Sequence, residues 1–157
     1  MTELQKTLSQ IAIKEQYKGL ITELLRLIIH NPEGKIDPLA RNKALQEAGV
    51  RRISDIKEQT LGVIIDYAKL CLEDGVLTDT EIKNITLLKA YFGIEDGDFY
   101  KNNLQKEVKT ILFEQLAKLY EDGKLDEQEA LLQSETQGIF GLCYNEFAEI
   151  VKAYFND

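Results

Sequence analysis

Carboxylate side chains recur at the same spacing in two ten-residue segments of the chain. Residues 73–82 read EDGVLTDTEI, and forty-eight positions later residues 121–130 read EDGKLDEQEA. Carboxylate oxygens are the ligands that Ca²⁺ and Mg²⁺ prefer, and the second half of an EF-hand loop also has an Asp-Gly pair followed by a Glu. The two segments could therefore hold a metal ion, or they could simply join helices.

The EF-hand comparison fails at the same two positions in both segments. A calcium loop needs oxygen ligands four and two positions before the aspartate of its Asp-Gly pair. Those positions are Leu70 and Leu72 in the first segment, and Lys118 and Tyr120 in the second. Neither segment is a working EF-hand, so any bound cation would have to be shared between the two segments, with carboxylates from each.

Most residues of the two segments have a structural explanation. Gly75 and Gly123 follow amphipathic stretches and can take the left-handed conformation that ends a helix. Residues 78–81 (TDTE) and 126–129 (DEQE) match the capping box that begins the next helix. A weaker upstream echo, residues 33–40 (EGKIDPLA), has an aspartate cap followed by a proline. None of these residues needs a ligand to account for it.

The aspartates of the two Asp-Gly pairs are harder to explain. Asp74 and Asp122, each preceded by a glutamate, lie at predicted helix carboxyl ends. A negative charge there opposes the helix dipole by roughly 0.3–1 kcal/mol. An Asx-type turn, in which the carboxylate accepts the backbone N–H two residues on, could offset this cost locally. The repeated aspartate is the main functional signal in the sequence.

Helical periodicity extends over almost the whole chain. Apolar residues fall at steps of three and four, no alternating strand pattern occurs, and the two prolines lie in one connector. These patterns predict an all-α fold, a compact bundle of about seven helices. The predicted helices cover residues 3–30 (broken or continuous), 38–48, 55–73, 79–92, 98–121, 127–139 and 146–155.

The bundle is predicted to contain a duplicated helix–DGxLxxxE-turn–helix unit. At an offset of 48, nine positions match in about 27, a density that helical composition alone does not supply. The matches are Glu73/Glu121, Asp74/Asp122, Gly75/Gly123, Leu77/Leu125, Glu81/Glu129, Phe92/Phe140, Gly93/Gly141, Ile94/Leu142 and Phe99/Phe147. We therefore predict one domain over 1–157, with N-terminal helices in 1–60, a first unit in 61–108 and a second unit in 109–157.

The repeated unit resembles the TerB-like family, which is named for tellurite resistance. The matching stretches are LEDGVLTDTEIKNITLLKAYFGIEDGDF (72–99) and YEDGKLDEQEALLQSETQGIFGLCYNEF (120–147). In each stretch, the DGxLxxxE segment joins two helices, and the second helix is followed by an aromatic-Gly-aliphatic segment and then a Phe. Residues 1–60 carry no motif of the family beyond the upstream echo.

The resemblance implies a bacterial, cytoplasmic helical bundle linked to stress or to tellurite and phage resistance. It also implies an acidic surface suspected of binding a divalent metal ion such as Ca²⁺, Mg²⁺ or Mn²⁺. Mapped onto this chain, the implied metal ligands are Asp74, Glu81, Asp122 and Glu129. The segment after the first unit, 95–98 (EDGD), is more acidic than its counterpart 143–146 (CYNE), which weakens a strictly symmetric site.

The charge of the chain argues against anionic partners. Its 157 residues include 19 Lys and Arg and 27 Asp and Glu, a net charge of −8, and residues 61–157 hold 19 acidic against 9 basic side chains. A field of this sign repels nucleic-acid phosphates and anionic membrane surfaces and attracts cations or a basic protein. We expect a protein partner, no nucleic acid and no membrane insertion.

The sequence also predicts a cytoplasmic protein. Residues 1–16 lack the apolar core of a signal peptide, and no apolar run approaches the roughly 18 residues of a membrane span. Cys71 and Cys143 lie on or beside apolar helix faces without ligand spacing, as buried thiols in a reducing compartment do.

No catalytic signature accompanies these features. His30 is the only histidine, no Ser or Cys lies in a nucleophile motif, and no Gly-rich loop could bind a phosphate. We expect a non-enzymatic module that binds a divalent cation or a protein through its acidic motif face. The alternative is an immunity- or antitoxin-like protein that neutralises a basic toxin, and a carboxylate hydrolase is a third, weaker hypothesis.

Overall fold

The computed structural model describes residues 1–142 together with Ala148, Glu149 and Lys152. In this part of the chain the structure is entirely helical, without β-strands, as predicted. Over residues 1–142, two 3₁₀ segments, Glu15–Tyr17 and Ile53–Ile56, accompany eight α-helices. The helices are α1 Glu3–Ala12, α2 Leu20–Ile29, α3 Pro38–Glu47, α4 Lys57–Glu73, α5 Asp79–Phe92, α6 Asp98–Lys101, α7 Gln105–Leu119 and α8 Glu127–Ile139.

Two of the predicted helical segments are broken, so the described residues hold more helices than the pattern indicated. The segment 3–30 divides into α1, a 3₁₀ turn and α2, and Gly19, the residue before α2, has a φ of 98° that interrupts a helix. The segment 98–121 divides into α6 and α7, and Asn103 between them has a φ of 61°. The predicted helix 146–155 lies mostly outside the described residues.

Local capping explains where several helices begin. Thr2 and Gln5 form a capping box at the start of α1. The Asp37 side chain accepts the backbone N–H of Leu39 at 3.0 Å, and Pro38 is the first residue of α3, which confirms the cap predicted in the upstream echo.

The described chain divides into two compact units. Unit 1 comprises residues 1–67 and 87–94, and unit 2 comprises residues 68–86 and 95–157. The divisions fall within α4 and α5, and the single-domain organisation stays a prediction. Among the described helices, none combines the length and hydrophobicity needed to cross a bilayer.

In unit 1, a buried amide joins α1 to the end of α2. The Gln5 side chain is 4% exposed, and its Nε2 donates to the carbonyl oxygens of Ile28 at 3.0 Å and Asn31 at 2.9 Å. Ile28 and Asn31 also accept backbone N–H groups at these carbonyl oxygens, from Asn31 and Gly34, so the Gln5 amide adds a link between α1 and the end of α2.

A buried tyrosine anchors the 3₁₀ turn Glu15–Tyr17 to the first part of α4. The Tyr17 hydroxyl donates to Oδ2 of Asp66 at 2.6 Å, and Lys14 Nζ lies 3.3 Å from the same oxygen. Burial and the hydrogen bond to Asp66 hold the pKa of the Tyr17 hydroxyl above its ordinary value, so this group stays a proton donor.

A second buried tyrosine holds residues 87–94 within unit 1. The Tyr91 hydroxyl donates to the carbonyl oxygen of Leu24 at 3.2 Å, and burial raises the pKa of this hydroxyl. The Arg41 guanidinium lies 5.6 Å from the Tyr91 ring centroid and donates to the Tyr91 carbonyl oxygen.

The core of unit 2 is formed largely by α7 and its neighbours. The rings of Phe99 and Phe140 meet edge to face at a centroid distance of 5.2 Å. The side chain of Gln133 on α8 donates to the carbonyl oxygen of Leu112 on α7 at 3.3 Å. Cys71 is a buried thiol, as predicted, and Cys143 lies outside the described residues.

Candidate functional site

The two acidic segments form the connections between consecutive helices of unit 2. We call residues 73–78, which run from the last residue of α4 to the start of α5, turn 1. Residues 121–126, between α7 and α8, are turn 2, and together the two are the EDG turns. Gly75 and Gly123 have φ angles of 152° and 79°, backbone conformations that favour glycine. The backbone conformation of the two turns is therefore sufficient to explain both glycines.

Both predicted capping boxes are present. In the first, Glu81 Oε1 accepts the backbone N–H of Thr78 at 2.9 Å, and Thr78 Oγ1 accepts the backbone N–H of Glu81 at 3.2 Å. In the second, the reciprocal bonds between Asp126 and Glu129 measure 3.1 and 2.8 Å. Each glutamate thus has one carboxylate oxygen engaged in beginning a helix.

The aspartates behave differently in the two turns. Oδ1 of Asp122 accepts the backbone N–H of Lys124 at 3.0 Å, which confirms the Asx-type turn for turn 2. Within the described residues, the Asp74 carboxylate has no corresponding bond to Val76. Asp74 is exposed, and its charge is not explained by the local turn.

A residue outside the motif fixes turn 1. The backbone N–H of Leu77 donates to Gln115 Oε1 at 2.7 Å, and Gln115 Nε2 donates to the Leu77 carbonyl oxygen at 3.0 Å. Lys118 Nζ adds a bond of 3.2 Å to the carbonyl oxygen of Gly75. We call the two Gln115–Leu77 bonds the Gln115 bridge. The one signal for it in the sequence was an amide within the apolar stripe of its helix.

The four implied metal ligands all belong to unit 2 and differ in exposure. Glu81 is 8% exposed, Glu129 is half-buried, and Asp74 and Asp122 are exposed. In the described part of the chain, no three His, Cys, Asp or Glu side chains are grouped so that they could hold a metal ion. The divalent-cation site stays a prediction.

Unit 2, to which both turns belong, is acidic in sequence. Unit 2 holds 18 Asp and Glu against 8 Lys and Arg, a net charge of −10. Asp79 at the start of α5 forms an exposed ion pair of 2.9 Å with Lys83, and the hydrogen bond to Asp79 raises the pKa of Lys83. An ion pair exposed to this degree contributes little to stability.

Three comparisons, with protein-family models, with curated proteins and with solved structures, found no match to this chain.

Proposed function

We propose that the chain is a non-enzymatic TerB-like module of bacterial stress or tellurite-type resistance that binds a basic protein through the EDG turns. One observation carries the proposal. The carboxylates of Glu73, Asp74 and Glu121 are exposed and, within the described residues, take part in no hydrogen bond or ion pair. Side chains of this kind are available for a partner.

The position of these carboxylates is unfavourable for the protein itself. Glu73 is the last residue of α4, and Glu121 follows α7 by two positions, so both charges lie near the negative end of a helix dipole. Each such charge costs roughly 0.3–1 kcal/mol. Departures from local stability rules are expected at functional sites, where another interaction offsets the cost.

The charge of unit 2 indicates the chemistry of the partner. A net charge of −10 produces a negative potential that accelerates encounter with a positively charged surface. Arginine and lysine side chains of a partner would pair with the turn carboxylates. An immunity-type role, in which the partner is a basic toxin, would use the same surface and is distinguished by the identity of the partner.

The proposal predicts that a turn-neutralised variant loses its partner without losing stability. The variant carries Glu73→Gln, Asp74→Asn, Glu121→Gln and Asp122→Asn, and the asparagine at 122 retains the acceptor oxygen of the Asx turn. Affinity for a basic partner captured from native cell extract should fall about 10-fold or more. The free energy of unfolding should stay constant or rise by up to about 1 kcal/mol, because the charges that oppose the dipoles are gone.

A control variant removes four charges from the other unit. It carries four glutamine substitutions at exposed glutamates of unit 1, at Glu23, Glu33, Glu47 and Glu58. This variant should retain the partner, since the net charge changes equally but the turns are intact. Equal retention by both variants would refute the proposal. Calorimetric titration with Ca²⁺, Mg²⁺ and Mn²⁺ separates the two ligand classes. A binding heat that the wild type and the control variant give, and that the turn-neutralised variant lacks, would assign the turns to a cation instead.

A further inference from the structure

We infer that the Gln115 bridge makes turn 1 and helix α7 open as one cooperative unit, whereas turn 2 opens separately. This difference in opening does not depend on whether the turns bind the proposed partner. Unit 2 holds the two turns differently, although they share four of their six residues.

Turn 1 is bonded to a helix that is distant in sequence. Gln115 and Leu77 are 38 positions apart, and both are fully buried. The amide of Gln115 pairs with both backbone groups of Leu77, so it fixes the orientation of this residue as well as its position. Because Leu77 is buried, its two backbone groups would lose their hydrogen-bond partner if turn 1 left α7.

Lys118 strengthens the same attachment. It lies three residues after Gln115, on the same side of α7, and bonds to the Gly75 carbonyl oxygen two residues before Leu77. Two side chains of α7 thus bond to three backbone groups of turn 1. Opening of turn 1 must break all three bonds or carry α7 with it.

Turn 2 has only local bonds. The backbone N–H of Gly123 donates to the Tyr120 carbonyl oxygen at 2.9 Å, Asp122 accepts from Lys124, and the capping box closes the connection to α8. Within the described residues, no side chain from outside residues 121–129 bonds to residues 121–126. Leu125, the counterpart of buried Leu77, is half-buried. Turn 2 can therefore open without disturbing another element.

The α7 side chains that hold turn 1 lie close in sequence to turn 2. Gln115 and Lys118 lie in the last turns of α7, and α7 ends at Leu119, directly before turn 2. Turn 1 is therefore attached to α7 close to the residue at which turn 2 begins.

Native-state hydrogen exchange of the full chain, measured by NMR over a series of low urea concentrations, tests the inference. Amides that exchange through one cooperative opening share its rate and its dependence on urea, whereas locally opening amides do not respond to urea. The Leu77 amide should exchange with the same urea dependence as the core amides of α7 at Leu112 and Leu116. The Lys124 amide should exchange faster and independently of urea. A Leu77 amide that behaves like the Lys124 amide would overturn the inference.

A pair of variants attributes the coupling to the bridge. Gln115→Leu has a similar volume but removes the Gln115 bridge, together with the 3.5 Å bond from Gln115 Nε2 to Thr136 Oγ1 on α8. The Leu77 amide should then exchange about 30-fold faster than in the wild type and without urea dependence. Gln133→Leu is the control, because this buried amide bonds to α7 and not to turn 1. It should leave the coupling of Leu77 to α7 unchanged. Equal effects of the two substitutions on the Leu77 amide would contradict the assignment to Gln115. If Gln115→Leu does not fold, the urea dependence of the wild-type Leu77 amide by itself decides whether turn 1 opens with α7.

Discussion

Replacing Gly141 with alanine is expected to lower the free energy of unfolding by about 3–5 kcal/mol. Gly141 has a φ of 67°, a conformation that strains any residue with a Cβ atom. The new Cβ would also overlap the carbonyl oxygen of Asp96 and lie 2.6 Å from its carbonyl carbon. Since the obstacle is backbone and not the end of a flexible side chain, relief requires the segment after α5 to shift. Urea unfolding followed by circular dichroism measures the loss.

Gly123→Ala is the matched control for this prediction. Gly123 has a similar φ of 79°, but an added Cβ would meet no atom within 4 Å. Only the conformational cost of about 1–2 kcal/mol should remain. The account of Gly141 is wrong if the two alanine variants lose the same stability.

Raising the pH above about 10 is expected to destabilise the chain steeply because of its two buried tyrosine hydroxyls. Burial raises the pKa of Tyr17, reinforced by Asp66, and burial also raises that of Tyr91, against the opposing charge of Arg41. In the unfolded chain both groups ionise near pH 10, while the folded chain retains its protons to higher pH. The unfolded state then binds fewer protons, so the free energy of unfolding falls with pH by up to about 1.4 kcal/mol per unit for each tyrosine.

Below pH 10 this contribution of the tyrosines should be complete and constant. Urea unfolding at intervals from pH 8 to pH 12 gives the slope for the wild type and for a Tyr17→Phe/Tyr91→Phe variant. The variant should be less stable at neutral pH, because it lacks the bonds to Asp66 and Leu24, but its stability should decline less above pH 10. Identical slopes for the two proteins would disprove the assignment.

The features that were predictable from sequence are those that depend on nearby residues. The capping boxes at Thr78 and Asp126 and the cap at Asp37 join residues two or three positions apart, so the spacing of residue types identifies them. The helical class follows equally from the apolar periodicity. The breaks near Gly19 and Asn103 were not located, because a single residue with positive φ leaves the apolar period of its neighbours almost unchanged.

The site itself was only partly predictable. The repeated motif located the EDG turns and their exposed aspartates, and the Asx bond of Asp122 was foreseen as a local interaction. The Gln115 bridge was not foreseen, because Gln115 and Leu77 are 38 positions apart and no local pattern of residues indicates that they pair. The bridge also holds turn 1 in a way that turn 2 lacks, a difference that the shared motif does not reveal.

Exchange footprinting of the captured complex tests the central claim most directly, since it reports which surface the basic partner covers. The amides of free and partner-bound chain are compared under identical conditions by hydrogen-exchange mass spectrometry. The account predicts that protection increases in the peptides containing 73–76 and 121–124, and that 0.5 M salt removes this protection by screening the charges. Protection confined to unit 1, with both EDG turns exchanging as in the free chain, would contradict it.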